Sequence, residues 1–197
     1  EKITEKSNLT IAFLSNSELP AASVNCIYKA SNGSLWFGTS QGVVEFNEDK
    51  WTRYSKENYW LTDNQISSLS QFEDILLIGT LGDGVNRLWI TNVDAITGAS
   101  SYDTVWSGIT SKRIHCIMVD STKAQWFGTQ KGVSIHEGSQ TRTGWTKFTT
   151  PDGLVDNYIT AIAADHSGRY WIGTRNGLSV YSNNNFMNYS ENTALQD

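Results

Sequence analysis

The stretch LWFGTSQGVVEF, residues 35–46, decides the fold of this chain because related stretches return three more times. QWFGTQKGVSI occupies residues 125–135 and YWIGTRNGLSVY residues 170–181, while a weaker relative, LLIGTLGDGVNRLWI, occupies residues 76–90. The glycine of each Gly-Thr pair lies 41, 49 and 45 residues after the previous one. Periods of this length are typical of propellers and solenoids rather than of single-copy folds.

Each copy has the pattern of two strands joined by a tight hairpin. Aromatic residues such as Trp36 and Phe37 favour a strand before the turn, and Gly42 supplies the positive φ that the turn requires. A short apolar run precedes each Gly-Thr pair, and an aromatic run follows three of the copies. Four strands per repeat predict an all-β propeller of four blades, since no long apolar run has the 3.6-residue period of a helical solenoid.

We expect residues 1–197 to form a single propeller domain. The repeats should span about residues 22–59, 60–107, 108–156 and 157–190, with an extra N-terminal strand at 9–13. The insertion at 91–103 should lengthen the connection to an outermost strand near residues 102–106.

Closure of the array is the second expectation about the fold. A blade is apolar on both faces, so an open array would expose two large apolar surfaces. We therefore expect the four blades to close on themselves as a monomer, with strand 9–13 added to the edge of the fourth blade. The alternatives are that the chain is part of a larger propeller, or half of a ring completed by a dimer.

Composition excludes several classes of protein. The net charge is −5 and no dense run of Lys or Arg occurs, so we expect no nucleic-acid partner. No apolar stretch is long enough to predict a membrane span. The two cysteines, Cys26 and Cys116, occupy equivalent repeat positions, which indicates a small-residue packing position rather than a disulfide, and we expect no metal or cofactor. The polar start at Glu1 is interpreted as a trimmed N-terminus from which a signal peptide or lipid anchor was removed.

One family has this combination of motifs. ITAIAADHSGRYWIGTRNGLSVY, residues 159–181, resembles the two-component regulator propeller repeat, in which I-x-x-I precedes D-x-x-G-x-x-W-I-G-T-x-x-G-L. The resemblance covers nearly the whole chain. It implies a periplasmic or secreted protein, similar to the sensor portions of hybrid histidine kinases of polysaccharide-using bacteria. The implied role is non-catalytic ligand binding or sensing, with a small glycan fragment as the ligand.

Loop residues on one face of the predicted disc are the candidates for a binding site. In a four-stranded meander, the loop before the first strand and the loop joining strands two and three lie on the same face. These loops differ between blades over a repeated framework, as a binding face would, although drift in solvated loops would look similar. The candidate residues are Trp60, Asp63, Lys112, Arg113, His115, Asp156, Tyr158 and Arg175. Those expected to surround the axis are Lys112, Arg113, His115, Tyr158 and Arg175.

No catalytic constellation is found, so we expect a binding protein rather than an enzyme. The three histidines lack the spacing of a zinc site, and Gly-Thr-x-x-Gly lies in strand hairpins rather than before a helix. The repeated tryptophans should pack between blades, whereas Trp60 and Trp89 break the repeat and are candidates for an exposed stacking surface. Two alternatives stay open: a scaffold for a protein partner, and a polysaccharide lyase or glycosidase, which requires convergent acids or a Tyr-His-Arg group near the axis.

Overall fold

The structure is a computed structural model that describes residues 23–58, 61–92, 95–102, 108–138 and 144–190. Within these ranges, sixteen strands form four antiparallel sheets of four strands each. Every sheet is a meander in which strands consecutive in sequence pair with each other. The predicted all-β architecture of four four-stranded blades is therefore confirmed. No helix in the described part of the chain has the length and hydropathy needed to cross a membrane.

The strands of each sheet follow one another along the chain. The first sheet consists of β1 (Val24–Lys29), β2 (Leu35–Thr39), β3 (Gly42–Asn47) and β4 (Lys50–Tyr54). The second consists of β5 (Ile66–Phe72), β6 (Ile75–Thr80), β7 (Val85–Asn92) and β8 (Ala95–Tyr102). The third consists of β9 (Ile114–Val119), β10 (Gln125–Thr129), β11 (Gly132–His136) and β12 (Trp145–Phe148). The fourth consists of β13 (Ile159–Ala164), β14 (Tyr170–Thr174), β15 (Gly177–Ser182) and β16 (Asn185–Tyr189), preceded by a 3-10 turn at Thr150–Asp152.

Both residues of the repeated Gly-Thr pair have a structural role. A Cβ placed on Gly38 would lie 2.7 Å from Ile66 Cγ2 of the next sheet, which is closer than a Cβ can approach another carbon. The Thr39 hydroxyl donates to the carbonyl oxygen of Gly42 at 2.8 Å and accepts from the amide of Gln41 at 3.0 Å. The threonines of the other three copies make the same hydroxyl-to-glycine bond. The glycine allows close packing of sheets and the threonine holds the hairpin.

The tryptophans that recur in the repeat are held by hydrogen bonds that their indole nitrogens donate. Trp126 Nε1 donates to Asp120 Oδ2 at 3.0 Å, and Trp171 Nε1 donates to Asp165 Oδ2 at 2.9 Å. Trp36 and Trp126 are buried in the apolar clusters between consecutive sheets. The prediction that these tryptophans pack between blades is confirmed for the first and third sheets.

Both cysteines are free thiols that pack against glycines. A Cβ on Gly38 would overlap Cys26 Sγ, and one on Gly128 would overlap Cys116 Sγ. Burial raises the pKa of Cys26 to about 11 and that of Cys116 to about 12. These thiols occupy a small-residue packing position, as their equivalent repeat positions predicted.

The array of sheets is open, so the expected closure of the four blades on themselves is wrong. Each sheet packs against the next along the chain through an apolar cluster. In contrast, Val24 and Ile27 of β1 are 43% and 64% exposed. The expectation considered only the apolar area of a lone chain, whereas the angle between sheets depends on how their side chains interlock. The strand predicted at residues 9–13 lies outside the described residues.

The insertion in the second repeat lengthens a hairpin rather than a connection. Strands β7 and β8 pair as far as Asn92 with Ala95, and two irregularities in their register absorb the extra residues. The outermost strand that the structure describes in this sheet is Ala95–Tyr102, whereas residues 103–106 of the strand predicted near 102–106 lie outside the described residues. The low aromatic content of this segment concealed the strand from a pattern based on the other three copies.

Candidate functional site

The loops that precede the first strand of a sheet lie on the same face as the second hairpin of each sheet. Gly84 in the hairpin of the second sheet donates its amide to the carbonyl oxygen of Lys112, in the loop before β9, at 2.7 Å. Gly132 in the third sheet donates to Asn157, in the loop before β13, at 2.7 Å. We call this surface the loop face; it comprises residues 40–41, 61–65, 81–84, 110–113, 130–131, 155–158 and 175–176.

Buried apolar side chains fix the position of these loops. Leu61, Ile109 and Leu154 each lie in the loop before a first strand, and each is buried in a different cluster between two sheets. The backbone is also tied down, since the amide of Val155 donates to Ser179 Oγ at 2.9 Å. Loop side chains are therefore presented by an anchored backbone, which is the arrangement that a preformed binding site requires.

Three candidate residues come together where β9 and β13 begin. His115 Nδ1 lies 2.7 Å from the carbonyl oxygen of Ile159, and because a carbonyl only accepts, Nδ1 carries the proton. The His115 ring lies against Tyr158, with 4.4 Å between ring centroids. The guanidinium carbon of Arg175 lies 3.4 Å from the centroid of the Tyr158 ring. The neutral imidazole keeps Nε2 available as an acceptor, beside an aromatic ring and a guanidinium.

The charges around His115 are positive. Burial lowers the pKa of His115 by penalising its charged form, and the positive charges of Arg113 and Arg175 lower it further, against the effect of the Ile159 carbonyl. Among the described residues, no carboxylate lies within ion-pair distance of either arginine. We call His115, Tyr158, Arg175 and Arg113 the Tyr158 cluster. It combines two cationic groups with an uncharged imidazole and an aromatic ring, and so contains the Tyr, His and Arg side chains that the lyase alternative requires.

The other candidate residues do not join this cluster. Lys112 Nζ lies 2.6 Å from Asp83 Oδ1, so this lysine pairs with the preceding sheet. Asp63 and Asp156 each accept a hydrogen bond from the backbone amide two residues later, at 3.3 and 3.2 Å, and so shape their own loops. Trp60 lies outside the described residues.

A polar depression on the opposite face of the sheets was missed by sequence reasoning. Its members come from the first hairpins of three different sheets, from strand ends as well as turns, so no local motif links them. The turns at Glu73 and Lys123 have positive backbone φ angles of 52° and 73°, which the structure shows and the sequence did not predict. The lining residues are Tyr28, Lys29, Ser31, Gln71, Glu73, Asp74 and Lys123.

Trp89 is not the exposed stacking surface that its position outside the repeat suggested. It is half-buried against the second apolar cluster, and the guanidinium carbon of Arg87 lies 5.1 Å from its ring centroid. The described residues contain no group of three or more His, Cys, Asp or Glu side chains placed to hold a metal ion.

Comparison with known proteins matches two segments of the chain to a family model. The two component regulator propeller family matches residues 18–41 and 153–176. The fold is similar to the extracellular domain of a hybrid two component system from B. thetaiotaomicron, with a TM-score of 0.75 and 26% identity over 86% of this chain and 23% of that chain. It is also similar to the extracellular domain of a one component system from the same organism, with a TM-score of 0.69 and 16% identity over 85% of this chain and 24% of that chain. The chain thus spans about a quarter of the length of these two extracellular domains.

An enzyme also shares the architecture. A streptogramin B lyase matches with a TM-score of 0.67 and 16% identity, over 90% of this chain and 57% of that chain. At this identity the likeness concerns the fold alone, because propellers support unrelated functions. Comparison with curated protein sequences gives no significant match.

Proposed function

We propose that this chain is a non-catalytic ligand-binding or sensing module that works outside the cytoplasm, because the two component regulator propeller model matches two of its segments. The similar hybrid two component system, whose matching part is an extracellular domain, supports this role and this location. The observation that carries the proposal is the Tyr158 cluster, in which cationic, aromatic and hydrogen-bonding groups meet on anchored loops of the loop face.

The chemistry of the cluster favours a glycan fragment that carries a negative charge. Arg175 is held over the Tyr158 ring by a cation–π contact, which limits the entropy lost when the guanidinium binds a ligand. A guanidinium forms two parallel hydrogen bonds with a carboxylate, the group that distinguishes a uronic acid from a neutral sugar. His115 Nε2 is available to accept a hydrogen bond from a sugar hydroxyl. An acidic oligosaccharide therefore suits these groups better than a neutral one.

Isothermal titration calorimetry tests this function. The probes are oligogalacturonates of four to six residues and maltooligosaccharides of equal length as the neutral comparison. Arg175→Ala should weaken acidic oligosaccharide binding by about 10- to 150-fold, the loss expected for a hydrogen bond to a charged group. Arg169→Ala removes the same side chain from the turn between β13 and β14, at the opposite end of β13, and should leave affinity unchanged.

Two outcomes would contradict the proposal. One is the absence of binding to both series of oligosaccharides and to a wider glycan array. The other is equal binding by Arg175→Ala and Arg169→Ala, provided that both variants keep the circular dichroism spectrum of the wild type. Because His115 is uncharged at neutral pH, affinity should vary little between pH 7 and 8.

A second candidate function, an interaction scaffold, is favoured by a separate observation. The large hydrophobic side chains Val24, Ile27 and Met187 are exposed on the first and fourth sheets. Exposed apolar groups at the two ends of an array are typical of surfaces that contact another protein.

A further inference from the structure

The three interfaces between consecutive sheets repeat one contact. In each, the isoleucine that begins the innermost strand of one sheet is fully buried against the Gly-Thr glycine of the preceding sheet, where the missing side chain leaves room. The pairs are Ile66 with Gly38, Ile114 with Gly79 and Ile159 with Gly128. We call the isoleucine the plug and the glycine surface the socket.

A hydrogen bond accompanies the plug at two of these interfaces. Asn25 Nδ2 donates to the carbonyl oxygen of the plug Ile66 at 2.8 Å. His115 Nδ1 donates to the carbonyl oxygen of the plug Ile159 at 2.7 Å. Asn25 and His115 occupy equivalent positions, one residue after the start of β1 and of β9. Each such interface therefore combines an aliphatic plug with a polar donor from the socket side.

The first sheet carries a plug with no socket in the described residues. Val24 pairs with Thr39 in the register in which Ile66 pairs with Thr80, so Val24 is the plug of β1. Val24 is 43% exposed, whereas the other three plugs are fully buried. Three residues further along, Ile27 is 64% exposed, although its counterparts in β5 and β9 are buried.

The fourth sheet carries a socket with no plug in the described residues. The atoms nearest to a Cβ placed on Gly173 belong to its own sheet, Thr160 Oγ1 at 3.1 Å and Ala161 at 3.7 Å. Thr160, at the position of His115, is exposed and offers a hydroxyl donor. Trp171 is only half-buried, unlike the equivalent tryptophans of the first and third sheets.

We propose that the first sheet of one copy of this chain docks on the fourth sheet of a second copy, with Val24 seated at Gly173. Ile27 then packs on the same face, and the Thr160 hydroxyl donates to the Val24 carbonyl oxygen. The occupant is a second copy because one chain bears both halves of an interface that it already forms three times internally. The contact is head to tail, so two copies joined at both ends complete a ring of eight sheets.

Sedimentation equilibrium of the full chain tests the proposal, with an expected mass of twice 22.0 kDa. Ile27→Asp damages the plug side and Ala161→Asp the socket side, and each should weaken association by at least about 10- to 100-fold, the effect of losing one buried aliphatic contact. Asn184→Asp adds the same charge in the β15–β16 turn and should associate like the wild type.

Mixing the two damaged variants gives the sharpest test. An Ala161→Asp chain keeps an intact plug and an Ile27→Asp chain keeps an intact socket, so the mixture forms one undamaged interface and should associate more tightly than either variant alone. Circular dichroism checks folding, and Ile27→Ser replaces Ile27→Asp if the charged variant does not fold.

Three results overturn the proposal. The first is a wild-type chain that stays monomeric at about 100 μM, well above a micromolar dissociation constant. The second is a dimer that Ala161→Asp leaves intact, which would indicate symmetric contact between two first sheets. The third is a defined oligomer larger than two copies.

Discussion

Adding one methyl group at Gly128 should destabilise the protein, while the same change at Gly173 should not. Both glycines belong to a Gly-Thr pair at the same position of their sheets, and neither has a positive φ that would strain an alanine. They differ in the sheet that faces them and in the paired residue of their own sheet, which is Cys116 for Gly128 and Ala161 for Gly173. The third sheet is covered by the fourth, whereas the described residues place no further sheet over the fourth.

The expected loss of stability at Gly128 can be estimated from the contacts that the added methyl group would make. A Cβ on Gly128 would overlap Cys116 Sγ and lie 2.7 Å from Ile159 Cγ2, about 1 Å inside ordinary carbon contact. Because Ile159 is fully buried, relief requires movement of the sheets, and such overpacking costs about 1–3 kcal/mol. Restricting the unfolded chain offsets about 0.4–1 kcal/mol. At Gly173 the nearest atom is the exposed Thr160 hydroxyl at 3.1 Å, which can rotate away.

Gly128→Ala should therefore unfold with a free energy about 2 kcal/mol below that of Gly173→Ala. This corresponds to a melting temperature lower by about 4–8 °C for a chain of this size. Urea and thermal unfolding should be measured on double variants in which each glycine substitution is combined with Ile27→Asp, so that association does not add to stability. Adding Cys116→Ala to Gly128→Ala should restore part of the lost stability, because Gly173, which tolerates the added methyl group, is paired with Ala161 rather than with a cysteine. Equal stability of the two glycine variants would refute the close-packing explanation of the Gly-Thr pair.

Two further predictions concern ionisable groups. Burial alone would raise the pKa of Asp120, but hydrogen bonds from Thr122, Tyr170 and Trp126 lower it overall. A carboxylate with a lowered pKa stabilises the fold above its unfolded pKa of about 3.9 and loses that effect as the pH falls through the folded value. Asp120→Asn should thus lower the melting temperature at pH 7, and the difference in melting temperature from the wild type should shrink below about pH 4. A difference in melting temperature that does not change with pH would contradict this explanation. Burial raises the pKa of Cys26 to about 11 and that of Cys116 to about 12. Both thiols should therefore react slowly with a disulfide reagent at pH 8, Cys116 more slowly than Cys26, and both should react rapidly once the protein is denatured. Fast reaction of the native protein would contradict their burial.

Part of the candidate site followed from strand geometry. A meander places alternate connections on opposite faces, so residues before β9 and β13 were expected beside the second hairpins, where the structure has them. The stacking of His115 on Tyr158 was not foreseeable, since it depends on how β9 packs against β13. The pairing of Lys112 with Asp83 was missed for the same reason, because it joins two sheets.

The sequence by itself determined the architecture of each blade. The turn glycine, the threonine that closes the hairpin and the alternation of apolar residues act within a few residues of one another, so their pattern predicts strands and hairpins without knowledge of the rest. The cysteine positions were also interpretable, because the repeat shows which residues are equivalent.

Only the tertiary structure decided how the blades stand to one another. Val24 and Ile66 are equivalent in sequence, yet one is exposed and the other buried, because burial depends on whether a sheet lies opposite. The same holds for Gly173 and Gly128, which share a motif but not a neighbour. Repeats specify what each sheet can contact, whereas the angle at which the sheets interlock determines which of these contacts one chain can make.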